Sequence, residues 1–167
     1  MLDTTALIEK HRGKGVLVDA NLLVLMLVGS VNITRIQNFK RTSNFDADDF
    51  RTLKSLCDWF GSPLIVTPHI LSQASDLCDL GGSEGTAVRR LFQNIAEVLE
   101  ERYDPAVQLV QNPVFGRFGL ADASIAAVCA REILVLTADI QLQVALASRG
   151  LDALNFNHVR PLGSRRS

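Results

Sequence analysis

The chain is expected to fold as an α/β domain in three layers, α/β/α, with helices on both faces of a central parallel sheet of four or five strands. Three observations predict this. Val16-Leu17-Val18, Leu64-Ile65-Val66, Ile133-Leu134-Val135-Leu136 and Ala153-Leu154-Asn155-Phe156 are short apolar runs without polar alternation, the pattern of strands buried on both faces. The stretches between them repeat their apolar residues with the helical period, so strands and helices alternate along the chain. Finally, 47% hydrophobic against 21% charged residues in a chain of 167 suits one core and argues against disorder. Residues 1–162 read as a single domain and residues 163–167 as a loose tail.

Taken in order, residues 1–14 mix charges and hold no apolar core of signal-peptide length. Residues 22–28 follow Asp19 and Asn21 and stop at Gly29-Ser30. This run falls well short of the roughly 20 apolar residues a bilayer requires, so it predicts a buried helix. Residues 31–45 are polar and Asn-rich and read as a long surface loop. The next helix opens on the acidic turn Asp46, Asp48 and Asp49, carries Phe50, Leu53, Cys57 and Phe60 on one face, and ends at Gly61. Thr67 caps another, with Pro68 at its first position, Ile70, Leu71, Ala74, Leu77 and Cys78 inward, and Gly81-Gly82 as its stop. Ser83 is the expected cap of a third, with the stripe Val88, Leu91, Phe92, Ile95 and Leu99, broken by Tyr103-Asp104-Pro105. Residues 111–119 read as irregular. An Ala-rich buried helix over residues 120–131 and a helix over residues 139–149, terminated by Gly150, complete the order.

Seventeen Lys plus Arg against 18 Asp plus Glu leave a net charge of −1, which excludes attraction of a polyanion by global basicity. Such a partner must be met locally. The three cysteines, Cys57, Cys78 and Cys129, form no C-x-x-C, so neither a disulfide framework nor a zinc site is indicated, and a reducing cytoplasm is the expected location. No segment predicts a membrane span.

Open parallel sheets gather ligands at the carboxyl ends of their strands. Asp19 ends the first strand run, Asp139 follows Leu134-Val135-Leu136-Thr137-Ala138, and Asp122 opens the Ala-rich helix. Each sits in apolar sequence, where an unpaired charge costs several kcal/mol or forces protonation. Taken singly, each reads as a helix cap or dipole partner. Together, with no Lys or Arg directly beside them, they suit a hard divalent cation, Mg²⁺ or Mn²⁺. Asn21 and Thr137 flank the acids and are read either as caps or as groups that orient carboxylates. Ser124 and His69 read as structural, and His11 and His158 as isolated. Gly81-Gly82-Ser83-Glu84-Gly85 lacks a preceding strand and a Walker Lys, so it reads as a turn.

Val16-Leu17-Val18-Asp19-Ala20-Asn21, Val66-Thr67-Pro68-His69-Ile70-Leu71-Ser72-Gln73, Gly119-Leu120-Ala121-Asp122-Ala123-Ser124-Ile125 and Leu136-Thr137-Ala138-Asp139 occur in this order over most of the chain. In that order and placement the sequence resembles the PIN-domain family of metal-dependent nucleases, which includes the VapC-like toxins of bacterial toxin–antitoxin pairs. The resemblance implies a PIN-like fold and an endoribonuclease that leaves a 5′-phosphate and a 3′-hydroxyl. Asp19, Asp122 and Asp139 match the family's first, third and fourth acidic positions and would hold one or two Mg²⁺ or Mn²⁺ ions. Also implied are an RNA substrate, a cognate antitoxin and a homodimer. The chain departs from the pattern at the second acidic position, where Gln73 offers a carbonyl oxygen but no charge. Asp76, one helical turn further on nearly the same face, is the substitute the sequence offers.

For RNA contact, Arg117 stands out, because Phe115-Gly116-Arg117-Phe118-Gly119 leads directly into Asp122. Lys10, Arg12, Lys14, Lys40-Arg41, Arg89-Arg90, Arg160, Arg165 and Arg166 are further candidates, each explained as well by a solvated face. Two other readings stay open: a catalytically impaired PIN-like module that binds RNA or a protein, and a haloacid-dehalogenase-like phosphatase. The latter's D-x-D after the first strand is Asp19-Ala20-Asn21 here, with its second acid missing.

Overall fold

The computed structural model describes residues 3–160. Its elements are α1 (Thr4–Lys10), β1 (Val16–Val18), α2 (Ala20–Val31), a 3-10 helix (Ile33–Asn38), α3 (Ala47–Phe60), β2 (Leu64–Val66) and α4 (Pro68–Leu77). They continue with α5 (Gly82–Ala96), β3 (Glu100–Glu101), α6 (Ala106–Leu109), α7 (Phe115–Phe118) and α8 (Leu120–Cys129). Last come β4 (Val135–Thr137), α9 (Ile140–Ala147), β5 (Ala153–Asn155) and a closing 3-10 turn (Phe156–His158). The expected tail, with Arg165 and Arg166, lies outside the described residues.

All five strands are parallel, in the order β3-β2-β1-β4-β5, and helices flank the sheet in a three-layer α/β/α arrangement. The chain winds outward from β1 through β2 to β3, then returns to the other side of β1 with β4 and β5. The strand order therefore reverses between β1 and β4, and a crevice opens there at the carboxyl ends. In register, Leu17 faces Val135 and Val18 faces Leu136, so the two strands end side by side.

β1 and β4 are buried throughout, as their unbroken apolar runs require. Helix α2 is apolar nearly all round and buries Leu22, Leu23, Val24, Leu25, Leu27 and Val28, with α3, α4 and α5 packed around it. Among the described residues no helix is long and apolar enough to cross a membrane.

Five expectations are corrected. Residues 31–45 are not merely a surface loop: Ile36, Phe39 and Phe45 enter the core, and the buried Thr42 hydroxyl donates to the Ile36 carbonyl at 2.7 Å. The polar composition hides these anchors because they are irregularly spaced, Ile36 on the 3-10 helix and Phe39 and Phe45 beyond it. Helix α5 begins at Gly82 after Gly81 as its cap, not at Ser83. Strand β3 was missed because it is two exposed-edge glutamates rather than an apolar run. Within residues 111–119 there is a helical turn, α7. His11 is not isolated: it is buried, with Nε2 2.7 Å from Asp152 Oδ2, which also accepts from Lys10 Nζ at 2.5 Å. This network ties α1 to the turn before β5.

Candidate active site

Asp19 leaves β1 and caps α2, its Oδ1 accepting the Leu22 N–H at 2.8 Å. Its Oδ2 accepts the Thr137 hydroxyl at 2.5 Å and the Ala138 N–H at 2.8 Å, both from the end of β4. Adjacent parallel strands ending level make this reach short. Burial raises the Asp19 pKa, the three hydrogen bonds oppose that rise, and nearby Asp139 adds to it.

Asp139 follows β4 and caps α9, accepting the Gln141 and Leu142 N–H groups at 2.8 and 3.1 Å on Oδ1 alone. Its own N–H donates to Thr137 Oγ1 at 3.0 Å. Thr137, completely buried, therefore links the two acids: its hydroxyl donates to one carboxylate and accepts from the backbone of the other. The sequence left Thr137 open between cap and orienting group, and here it orients.

Asp122 lies in the first turn of α8. Gly119, at φ +86°, makes the turn that starts this helix, a conformation glycine adopts without strain. Ser124 is buried, sits 2.8 Å from Thr67 Oγ1 and donates to the Ala121 carbonyl at 2.6 Å, so α8 is pinned against the end of β2. Among the described residues no hydrogen bond or ion pair reaches the Asp122 carboxylate. Burial, then Asp139, then Asp19 push its pKa up to about 6.

The three aspartates line one cleft of about 190 Å³ together with Asn21, Gln73, Thr137 and Leu77. Asn21 is exposed and makes no hydrogen bond to any of the three. Gln73 reaches the wall, whereas Asp76 is exposed and does not line the cleft. Four residues on from Gln73, the cleft wall is Leu77, so the helical face that carries Gln73 turns apolar there. Arg117 is exposed on α7, with its guanidinium 5.1 Å from the Phe118 ring and Nη2 donating to Gln141 Oε1 at 3.3 Å. It lines a neighbouring cavity and pairs with none of the acids.

The chemistry of this donor set fits a hard cation. Among the described residues three carboxylates share a cleft with no cationic partner, Asp122 has both oxygens unspent, and Asp139 has one. Among the described residues, however, no three His, Cys, Asp or Glu side chains form a group that could hold a metal ion. The acids share a cleft without closing into a chelate.

No family model matches the chain, and no curated protein or solved structure matches it.

The sequence did not anticipate the ion pair of Asp49 with Arg160, which lies next to this cleft. Asp49 is completely buried and accepts Arg160 Nε at 2.9 Å and Nη2 at 2.6 Å. Their separation of 111 positions puts the pairing beyond reach of local pattern.

Proposed function

We propose that the protein is a metal-dependent phosphodiesterase of the PIN type that cuts RNA, with Asp19, Asp122 and Asp139 as its acidic residues. The observation that carries this reading is the convergence of the three on one cleft at the reversal of strand order, without a basic residue among the described ones to neutralise them. A structural set of caps would not need Asp122, which among the described residues caps nothing and hydrogen-bonds nothing.

Asp122 and Asp139, which keep unspent carboxylate oxygens, would hold Mg²⁺ or Mn²⁺ with Asp19 in the same cleft. Such an ion supplies positive charge for the phosphate oxygens and lowers the pKa of a water. The chain's own part is positioning. Thr137 and the Ala138 N–H fix the Asp19 carboxylate, and two N–H groups of α9 fix one oxygen of Asp139. Asp122, raised by burial and by the two neighbouring carboxylates, is the acid whose charge an ion in the cleft would relieve most. A cytoplasmic location, a cognate antitoxin and a homodimer belong to the same proposal.

The second reading, a non-cleaving PIN-like module that binds RNA or a protein, is favoured by Gln73 and by the open spacing of the acids. The phosphatase reading is weaker: both Asp19 oxygens are already held by protein donors, which is a poor state for a nucleophile. Incubating single-stranded RNA with the protein in Mn²⁺, Mg²⁺ or EDTA, beside Asp139→Asn and Gln73→Glu, separates the first two. Metal-dependent cleavage lost in Asp139→Asn supports the nuclease. Cleavage only in Gln73→Glu supports the impaired module, and cleavage indifferent to Asp139→Asn removes the site.

A further inference from the structure

Beside the acidic cleft lies a second cavity of about 260 Å³, lined by Asn21, Arg41, Asn44, Phe45, Asn157 and Arg160, with Ala138 at its floor. The two cavities share Asn21, and they divide the turn after β4 between them: Ala138 faces the second cavity and Asp139 the first. A cleft with three acids therefore adjoins one with two arginines.

The two arginines differ in what they have left to give. Arg160 is spent. It donates twice to Asp49, once to the Asn44 carbonyl at 2.8 Å and once to Asn157 Oδ1 at 3.1 Å, and its guanidinium lies 5.0 Å from the Phe45 ring. Its charge is cancelled by Asp49, so its role is to hold the wall. Arg41 is exposed and, among the described residues, makes no ion pair or hydrogen bond. Buried Phe39 and Thr42 anchor the segment on either side of Arg41, buried Phe45 follows Asn44 and packs on Phe156 at 6.1 Å, and Arg41 and Asn44 are left on the solvent side. Among the described residues the Asn21 and Asn44 side-chain amides have no hydrogen-bond partner either. One unspent guanidinium and two unspent amides thus converge on a small polar cavity.

We infer that this cavity is an anion subsite that takes a phosphate of the nucleic-acid strand adjoining the bond in the acidic cleft, with Arg41 as its charged ligand and Asn44 and Asn21 as supporting donors. The inference rests on the nuclease or RNA-binding reading given above. The guanidinium fork matches phosphate oxygens, and side-chain amides donate to them without adding charge. A cavity of this size admits one sugar-phosphate unit and is too small for a peptide helix. The subsite also answers the net charge of −1: one localised cation beside the acids positions a strand that the whole surface does not attract.

The test is binding of a fluorescein-labelled single-stranded RNA hexamer, followed by anisotropy in Ca²⁺ from 50 to 200 mM salt. The proteins compared are the native chain, Arg41→Ala, Arg41→Lys and Asn44→Ala, with the melting temperature of each recorded. Arg41→Ala is expected to weaken binding about tenfold and to flatten the salt slope by about 0.7, the value for one single-strand phosphate contact. Arg41→Lys should restore the slope and part of the affinity, and none of the three should shift melting by more than about 2 °C. Equal affinity and slope in Arg41→Ala would overturn the subsite, as would absence of RNA binding by the native chain. So would equally Arg41-dependent binding of an acidic peptide. Arg41-dependent binding without Mn²⁺-dependent cleavage would refute the nuclease and keep the subsite, whereas cleavage with a KM indifferent to Arg41 would do the reverse.

Discussion

Replacing Asp122 by Asn should stabilise the metal-free protein at neutral pH while abolishing the proposed RNA cleavage. Burial, Asp139 and Asp19 raise this carboxyl from its ordinary 3.8 to about 6. Its folded pKa lies above its unfolded one, so between these values the folded chain binds more protons than the unfolded chain. The ionised carboxylate therefore costs stability that is absent below about pH 4, grows as pH rises through the folded value of about 6, and is complete above it. Taken whole, the rise is worth about 3 kcal/mol, but Asp122 is only half-buried, and solvent screening brings this to about 1 kcal/mol. For a chain of this length that is about 2–4 °C in Tm. Thermal unfolding of both proteins in EDTA from pH 4 to pH 8 isolates the effect, because the other titrating groups cancel in the difference. The two curves should coincide below about pH 4, separate between about pH 4 and pH 6, and stay a constant distance apart above that, with the variant the more stable. Adding Mn²⁺ should then raise the Tm of the native chain and leave Asp122→Asn nearly unmoved. A difference independent of pH, or a variant less stable at pH 7.5, would refute the reasoning.

Three other substitutions test the frame around the cleft. Thr137→Val removes both the donor to Asp19 and the acceptor for the Asp139 N–H, and should cost about 1–3 kcal/mol in urea denaturation. Arg160→Ala leaves the buried Asp49 carboxylate without its partner and should cost about 3–5 kcal/mol. A double-mutant cycle with Asp49→Asn should show strong coupling, and additive losses would mean the pair is not held as described. Gly29→Ala would place a Cβ 2.3 Å from Phe50 Cδ2 and should cost about 1–3 kcal/mol. Phe50→Leu in the same chain should recover part of that loss, and unchanged melting of Gly29→Ala would contradict the close approach of α2 and α3.

What the sequence shows and what it hides divide along physical lines. Val16-Leu17-Val18 and Leu64-Ile65-Val66 are readable as buried strands because burial on both faces leaves only apolar residues. Thr67-Pro68 marks the start of α4 because capping and a missing N–H are local chemistry. Strand β3 is invisible because an edge strand needs no apolar face, and the order β3-β2-β1-β4-β5 is invisible because pairing is not local. The same limit applies to the site. Asp19, Asp122 and Asp139 are legible from their places at strand exits and a helix start, whereas the Arg160–Asp49 pair and the packing of Phe45 on Phe156 depend on contacts across more than 100 residues.

The alternative of helix caps is part of how the site is built. Asp19 and Asp139 are caps, and capping aims their carboxylates. The three acids consequently differ in what remains free. Asp19 is held on both oxygens by three donors, Asp139 on one oxygen by two, and Asp122 on neither. The compensation of charge falls in that order, and Asp122, with no donor, is left to the field of the other two. An added cation would be most strongly favoured where compensation is least, beside Asp122, with Asp139 lending its unspent oxygen. Gln73 on the facing wall then sets how far that field goes unopposed, since a carboxylate there would add repulsion without a cation and affinity with one. Gln73→Glu should therefore lower the metal-free Tm and enlarge the Mn²⁺-induced rise. If both stay unchanged, Gln73 lies outside the field and the cleft is a three-acid site.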